Sequence, residues 1–135
     1  MKKRIFPQVK LGLALCISLT LSLTACKGGA GNNTTAPSFK ADVEPLLKQH
    51  CGECHLPGGK GFEASGFSVE NYASVMQGTR LGPVIVPGKS VASTLVILIE
   101  GKADPSIRMP HGKEPLDAKP IKTIKEWIDA GAKDN

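Results

Sequence analysis

The pentapeptide Cys51-Gly52-Glu53-Cys54-His55 constrains this chain more than any other feature. Two thiols three positions apart can each add to one vinyl group of the same porphyrin. The residue after the second thiol then lies under the metal, where its imidazole can ligate iron. Order and spacing together form a covalent haem-attachment signature. The pair is expected in a short turn under the porphyrin edge. Two other chemistries use similar residues. A thioredoxin-like redox pair wants its Cys-x-x-Cys after a strand in a βαβ setting, whereas here a helical pattern precedes it and a Gly-rich stretch follows. A structural zinc site needs four ligands, and beyond the motif the segment from residue 38 on offers only His50, His111 and carboxylates.

The chain ahead of the motif sets the compartment. Lys2, Lys3, Arg4 and Lys10 open it, and Leu11 to Ala25 is almost wholly apolar and ends in small residues. A basic start, a short apolar run and a small-residue exit read as an export signal. The run has about 15 residues where a membrane span needs about 20. Leu23-Thr24-Ala25-Cys26 resembles the bacterial lipobox. That resemblance implies that residues 1–25 are removed and that Cys26 becomes the acylated first residue. Several acyl chains anchor a protein stably where one binds reversibly.

Removing the signal changes the charge argument. It takes four of the 17 basic residues and none of the 12 acidic ones, so the remaining balance is 13 − 12 = +1. The basic character is an export feature and carries no nucleic-acid inference. Cys16 leaves with the signal and Cys26 takes lipid. One cysteine pair remains, too few for a disulfide framework. Lys27 to Pro37 is mostly Gly, Asn, Thr and Ala with nothing to bury, so residues 26–37 read as a flexible tether carrying Cys26. The folded domain is expected over residues 38–135. It is short of aromatic residues and small enough to need a cofactor or staple, which a buried haem supplies.

Within that domain the pattern is helical. Ser38 to His50 reads as a first helix, capped by Ser38, with Phe39, Val43, Leu46 and Leu47 on one face and Pro45 forcing a bend or a late start. Leu56 to Gly66 reads as loop. Ser68 to Met76 reads as a short helix, with Val69, Tyr72, Val75 and Met76 inward and Gly78 ending it. Val84 to Gly88 is an apolar piece closed by a turn. Ser90 or Ser93 starts a helix to Glu100 whose inward face is Val91, Leu95, Val96, Leu98 and Ile99. Gly101 to Pro115 reads as loop. Asp117 caps a last helix facing inward through Ile121, Ile124, Trp127 and Ile128, with Pro120 tolerated in its first turn and Gly131 stopping it.

A second axial ligand must come from Met76, Met109, His50 or His111. Met76 lies in an apolar helical pattern and reads as core filling. His50 directly precedes Cys51 and points poorly. Met109 sits in the polar, Pro-rich piece Arg108-Met109-Pro110, where a loop can bring sulfur to iron. A thioether favours ferrous iron and raises the potential. His111 competes with it, and bis-His ligation lowers the potential.

From Phe39 to Ala132 the chain resembles a class I c-type cytochrome, and is similar to the compact planctomycete-type haem-binding domain. The stretches that carry the resemblance are Val43 to Leu47, Cys51 to His55, Val86-Pro87-Gly88, Ser93-Thr94-Leu95, Arg108-Met109-Pro110 and Trp127 to Ala132. The resemblance implies an all-α domain of about four to five short helices around one covalent haem c. It implies thioethers at Cys51 and Cys54, His55 as proximal ligand and Met109 as distal. It also implies that the first and last helices cross, packing Phe39 and Val43 near Trp127. His111 stands where relatives commonly carry a second proline.

These readings lead to one expectation of function. Two strong axial ligands leave iron no open position, and no carboxylate pair, Ser/His arrangement or phosphate loop offers substrate chemistry. The chain is expected to be a membrane-anchored monohaem electron carrier and not an enzyme. It would exchange electrons with redox partner proteins on the periplasmic side of the cell envelope. Lys27 after Cys26 points by analogy to the outer membrane. The alternative is a haem-based sensor or gas-binding module whose distal ligand dissociates. Glu53, Lys60, Lys113 and Lys119 read as solvated surface charges.

Overall fold

The computed structural model describes residues 35–135. The export segment, Cys26 and most of the tether lie outside that range. Among the described residues the fold is all-α: five α-helices and no strand, with a lone bridge between Thr79 and Gly82 closing a tight turn. None of these helices is long and apolar enough to cross a membrane.

The chain enters through one wide helical turn, Phe39–Val43, and continues directly into α1, Glu44–His55. Ser38 caps the entry, its Oγ accepting from the Ala41 amide. Pro45 explains the wide turn. A regular α-helix starting at Ser38 would place the proline ring against the carbonyl four residues back and ask it for a missing N–H. Instead, the amides of Val43 and Glu44 donate to carbonyls five residues back. Pro45 then falls in the first turn of α1, where no N–H is needed. The helix does not stop at His50 as its apolar pattern suggested. It runs through the whole Cys51–His55 motif.

Phe39, Val43 and Leu47 recur every fourth residue on one face and are almost fully buried. They meet α5, Ala118–Asp129, which buries Ile124, Trp127 and Ile128. Each such side chain contributes about 1.5–3 kcal/mol on leaving water. The expected crossing of first and last helices is present. The Phe39 and Trp127 rings lie 5.4 Å apart, and Tyr72 closes on Phe39 at 5.2 Å, edge to face. Both aromatic polar atoms are satisfied at the end of the chain: Tyr72 Oη donates to Ala132 O and Trp127 Nε1 to Lys133 O, each at 2.9 Å. Ser38 Oγ and the amides of Phe39 and Lys40 all bond to Asn135. The two helices are therefore pinned at one end by backbone as well as by rings.

The middle of the chain wraps this pair. α3, Tyr72–Gln77, starts at Asn71, whose side chain accepts from the Ser74 amide, and ends at Gly78. Gly78 has φ 83°, and a Cβ there would lie 2.4 Å from Gly82 O, so the turn requires glycine. Val84 and Ile85, from the apolar piece before the Pro-Gly turn, enter the core. Ser90 to Ala92 forms a tight 3-10 turn, and only from Thr94 does α4, Thr94–Ile99, begin. The change of helical pitch breaks the phase of the apolar pattern. Val91, expected inward, is 77% exposed, while Leu95, Val96 and Ile99 are buried. Ser93 Oγ accepts from the Val86 amide and donates to Lys89 O. Asp129 on α5 receives both the amide and the hydroxyl of Ser90 at 2.8 Å.

Two further expectations are corrected. Leu56 to Gly66 is not all loop, because Lys60–Ser65 forms α2. Asp117 occupies the cap position of α5 without making a side-chain cap bond.

Candidate haem site

Cys51, Cys54 and His55 occupy the last two turns of α1, with Gly52 buried between them. The end of the helix matters chemically. Reactive thiolates are favoured at helix N-termini, where the dipole is positive; these thiols sit at the opposite end. Burial, reinforced by the neighbouring Cys54, pushes the Cys51 thiol up to about 11. A redox-active pair is favoured by a depressed thiol pKa, and both the position and the burial of Cys51 work against one. Among the described residues no three His, Cys, Asp or Glu side chains converge to hold a metal ion, so the zinc alternative lacks its ligands.

His55 is held on both sides by the segment after α2. Its carbonyl accepts the Val69 amide at 2.9 Å. Its ring Nδ1 lies 3.2 Å from Phe67 O, and the Phe67 ring stacks edge-on at 5.3 Å. A carbonyl can only accept, so the contact puts a proton on Nδ1, and in the neutral ring that leaves Nε2 its lone pair. Such a second-sphere bond sets the tautomer and orientation of a metal-ligating histidine.

The glycines after the motif make room for this arrangement. A Cβ on Gly59 would lie 2.5 Å from Cys54 O. One on Gly61 would lie 2.7 Å from His55 Cε1 and 2.8 Å from Nε2. Gly61 thus keeps the ligating edge of the imidazole clear. Attachment thiols, an oriented imidazole and a cradle that a single methyl would fill all fit a covalent porphyrin at this end of α1.

The other candidate ligands are dispersed. Met109 is half-buried against the core, its amide donating to Leu98 O at 3.2 Å. Met76 is also half-buried against the core, on α3. His111 is exposed. The Met109 loop reaches the motif through charge: Lys113 Nζ pairs with Glu53 Oε2, between the two cysteines. That hydrogen bond and the opposite charge hold the Glu53 carboxyl below, and the Lys113 ammonium above, their ordinary values. In the sequence both read as solvated surface charges, and nothing there assigns Gly59, Gly61 or the Phe67 carbonyl to the site. The three glycines within four residues, Gly58-Gly59-Lys60-Gly61, were the available signal of close approach.

A small all-α domain that presents Cys-x-x-Cys-His at a helix end, with the imidazole tautomer set from behind, defines a c-type cytochrome domain. The family model of Planctomycete cytochrome C matches residues 51–111, which supports a planctomycete-type cytochrome c domain there. No curated protein and no solved structure matches the chain. The cofactor of the domain is covalently bound haem c, with Cys51, Cys54 and His55 in the attachment motif, and its role lies with redox partners in electron transfer. The matched span contains both Met109 and His111. It stops short of α5, which the aromatic packing joins to the same unit.

Proposed function

We propose that this chain is a monohaem electron carrier, anchored through acylated Cys26 to the periplasmic side of the cell envelope, with Met109 as distal ligand and no catalytic activity of its own. When bound, haem c supplies reversible one-electron storage at iron. The chain's residues do the rest. Cys51 and Cys54 hold the porphyrin edge. His55 offers Nε2 because Phe67 O holds the proton on Nδ1. Met109 offers sulfur from a loop tied to the same helix end through Lys113 and Glu53.

The observation that carries this reading is the oriented imidazole beside the two thiols. His111 is the weaker distal candidate because its side chain is exposed, whereas Met109 already rests against the core. A thioether at that position raises the potential. The export signal and the lipobox resemblance support the envelope location, and Lys27 supports the outer membrane.

The test is spectroscopic. The chain, produced in a host with haem-attachment machinery, is expected to gain the mass of one haem and of acyl groups. Its ferric spectrum is expected to show the sulfur-to-iron charge-transfer band. A slow or absent reaction of the reduced protein with carbon monoxide fits a carrier, and rapid stoichiometric binding replaces it with the sensor reading.

A further inference from the structure

The loop between α4 and α5 is fastened unevenly. On its near limb, Asp104 caps a short turn, Pro105–Ile107, and the Met109 amide bonds to Leu98 O. On its far limb every side chain from residue 111 to 115 is exposed. Arg108 Nη2 donates to Lys113 O at 3.3 Å, which closes the loop upon itself and not upon the rest of the fold. Among the described residues, the one side-chain tie from this limb to another element is Lys113 to Glu53, 60 positions earlier in the chain. Glu53 is not an arbitrary anchor. It lies between Cys51 and Cys54, on the turn of α1 that bears the attachment thiols.

We infer that Glu53 and Lys113 are positioning residues for the distal ligand, their ion pair latching the Met109 loop over the attachment turn. The inference rests on the reading of Met109 as that ligand. An exposed pair adds little to global stability. The latch works against a much smaller quantity, the cost of lifting a thinly packed loop. Local openings with few buried contacts lie at the low end of the stability scale. Loss of even a modest charge pair can therefore multiply the open population while the helices stay folded.

Charge reversal tests this with the full haem-loaded chain. Glu53→Lys and Lys113→Glu each place like charges across the latch; the double variant restores the pair in reverse. Each single variant is expected to bind carbon monoxide about three- to tenfold faster in the reduced state. Its ferric charge-transfer band is expected to bleach on heating well before the helical signal. The double variant is expected to return both readouts to wild type. In about 1 M salt, where screening acts over roughly 3 Å, the single variants and wild type are expected to converge. Single variants that match wild type, or a double variant that fails to restore it, overturn the latch. A wild-type spectrum without the charge-transfer band removes the Met109 reading and the latch with it. A band that is present but indifferent to both reversals removes the latch alone.

Discussion

The proximal and distal sides of this domain are built by opposite means. On the proximal side, the Phe39–Val43 turn that leads into α1 packs on α5, the last turns of α1 carry both thiols, and His55 is gripped through its carbonyl and its ring nitrogen. On the distal side, Met109 rests half-buried in a loop held by an Asp104-capped turn, a backbone bond to Leu98, an internal arginine bond and a surface ion pair. The contrast separates two tasks. A covalently attached group needs a frame that does not move. A thioether ligand, a weaker partner, needs only to be held near. Its hold can be adjusted by a few surface residues without disturbing the frame.

The frame is broken most directly at Trp127. It is 1% exposed, touches Phe39 and donates its indole N–H to Lys133 O. Trp127→Ala is expected to cost about 3–5 kcal/mol, read from guanidinium unfolding of the haem-loaded protein. A loss below about 1 kcal/mol would mean that the two helices are not held by this cluster, and the contrast between the two sides would fail.

Gly61→Ala comes next, and its sign is informative. Gly61 lies inside α2, where replacing glycine by alanine ordinarily gains up to about 1 kcal/mol. Here the new methyl would lie 2.8 Å from His55 Nε2 and 3.0 Å from Cys54 O. His55 can retreat only by giving up Phe67 O. A net loss of about 1–3 kcal/mol is expected, together with an altered ferric spectrum and a shifted potential. Net stabilisation with an unchanged spectrum would show that the cradle is roomier than its geometry indicates.

Where the chain was legible, one physical signal dominated. The α5 face of Ile124, Trp127 and Ile128 has a clean helical period, and its packing on Phe39 and Val43 follows. The attachment motif is a matter of covalent spacing and needs no tertiary knowledge. The misread parts are those in which two signals compete. α2 is hidden because glycines lower helix propensity, yet Gly59 and Gly61 are there for closeness to Cys54 and His55, a demand that no local pattern reveals. Val91 faces out because a 3-10 turn precedes α4 and shifts the register by a fraction of a turn. Pro45 predicted a disturbance without saying which kind; a widened turn accommodates it. Glu53 and Lys113 are ordinary surface charges until the fold brings them together across 60 positions.

Asp129 sharpens the comparison on the frame side through pH. Its carboxylate accepts the amide and the hydroxyl of Ser90, and these bonds lower its pKa below the ordinary 3.8. A group whose folded pKa is depressed stabilises the fold fully above its unfolded value, and that contribution is lost as the pH falls through the folded value. Wild-type stability is therefore expected to hold down to about pH 4 and to decline below it. Asp129→Asn is expected to be slightly less stable at neutral pH and to show a flatter acid decline, since the loss that protonation would bring has already occurred. Urea unfolding at a series of pH values reads both. An acid decline as steep in the variant as in wild type would assign acid sensitivity to other carboxylates.

Met109→Ala is expected to cost far less stability than Trp127→Ala and to have the clearest effect on the site. Met109 is half-buried, against nearly complete burial for Trp127, so its truncation removes only part of a methionine side chain's worth of apolar burial, about 1–2 kcal/mol. If its sulfur binds iron, the variant loses the charge-transfer band, its potential falls, and the reduced form takes up carbon monoxide. A variant that keeps the band, or that unfolds as readily as Trp127→Ala, would make Met109 an ordinary packing residue. The distal side would then belong to the frame, with His111 or Met76 left to complete the coordination. The two readouts are independent: one measures packing, the other a bond to iron. A small cost in the first with complete loss in the second is the combination that only a ligand on a lightly held loop produces.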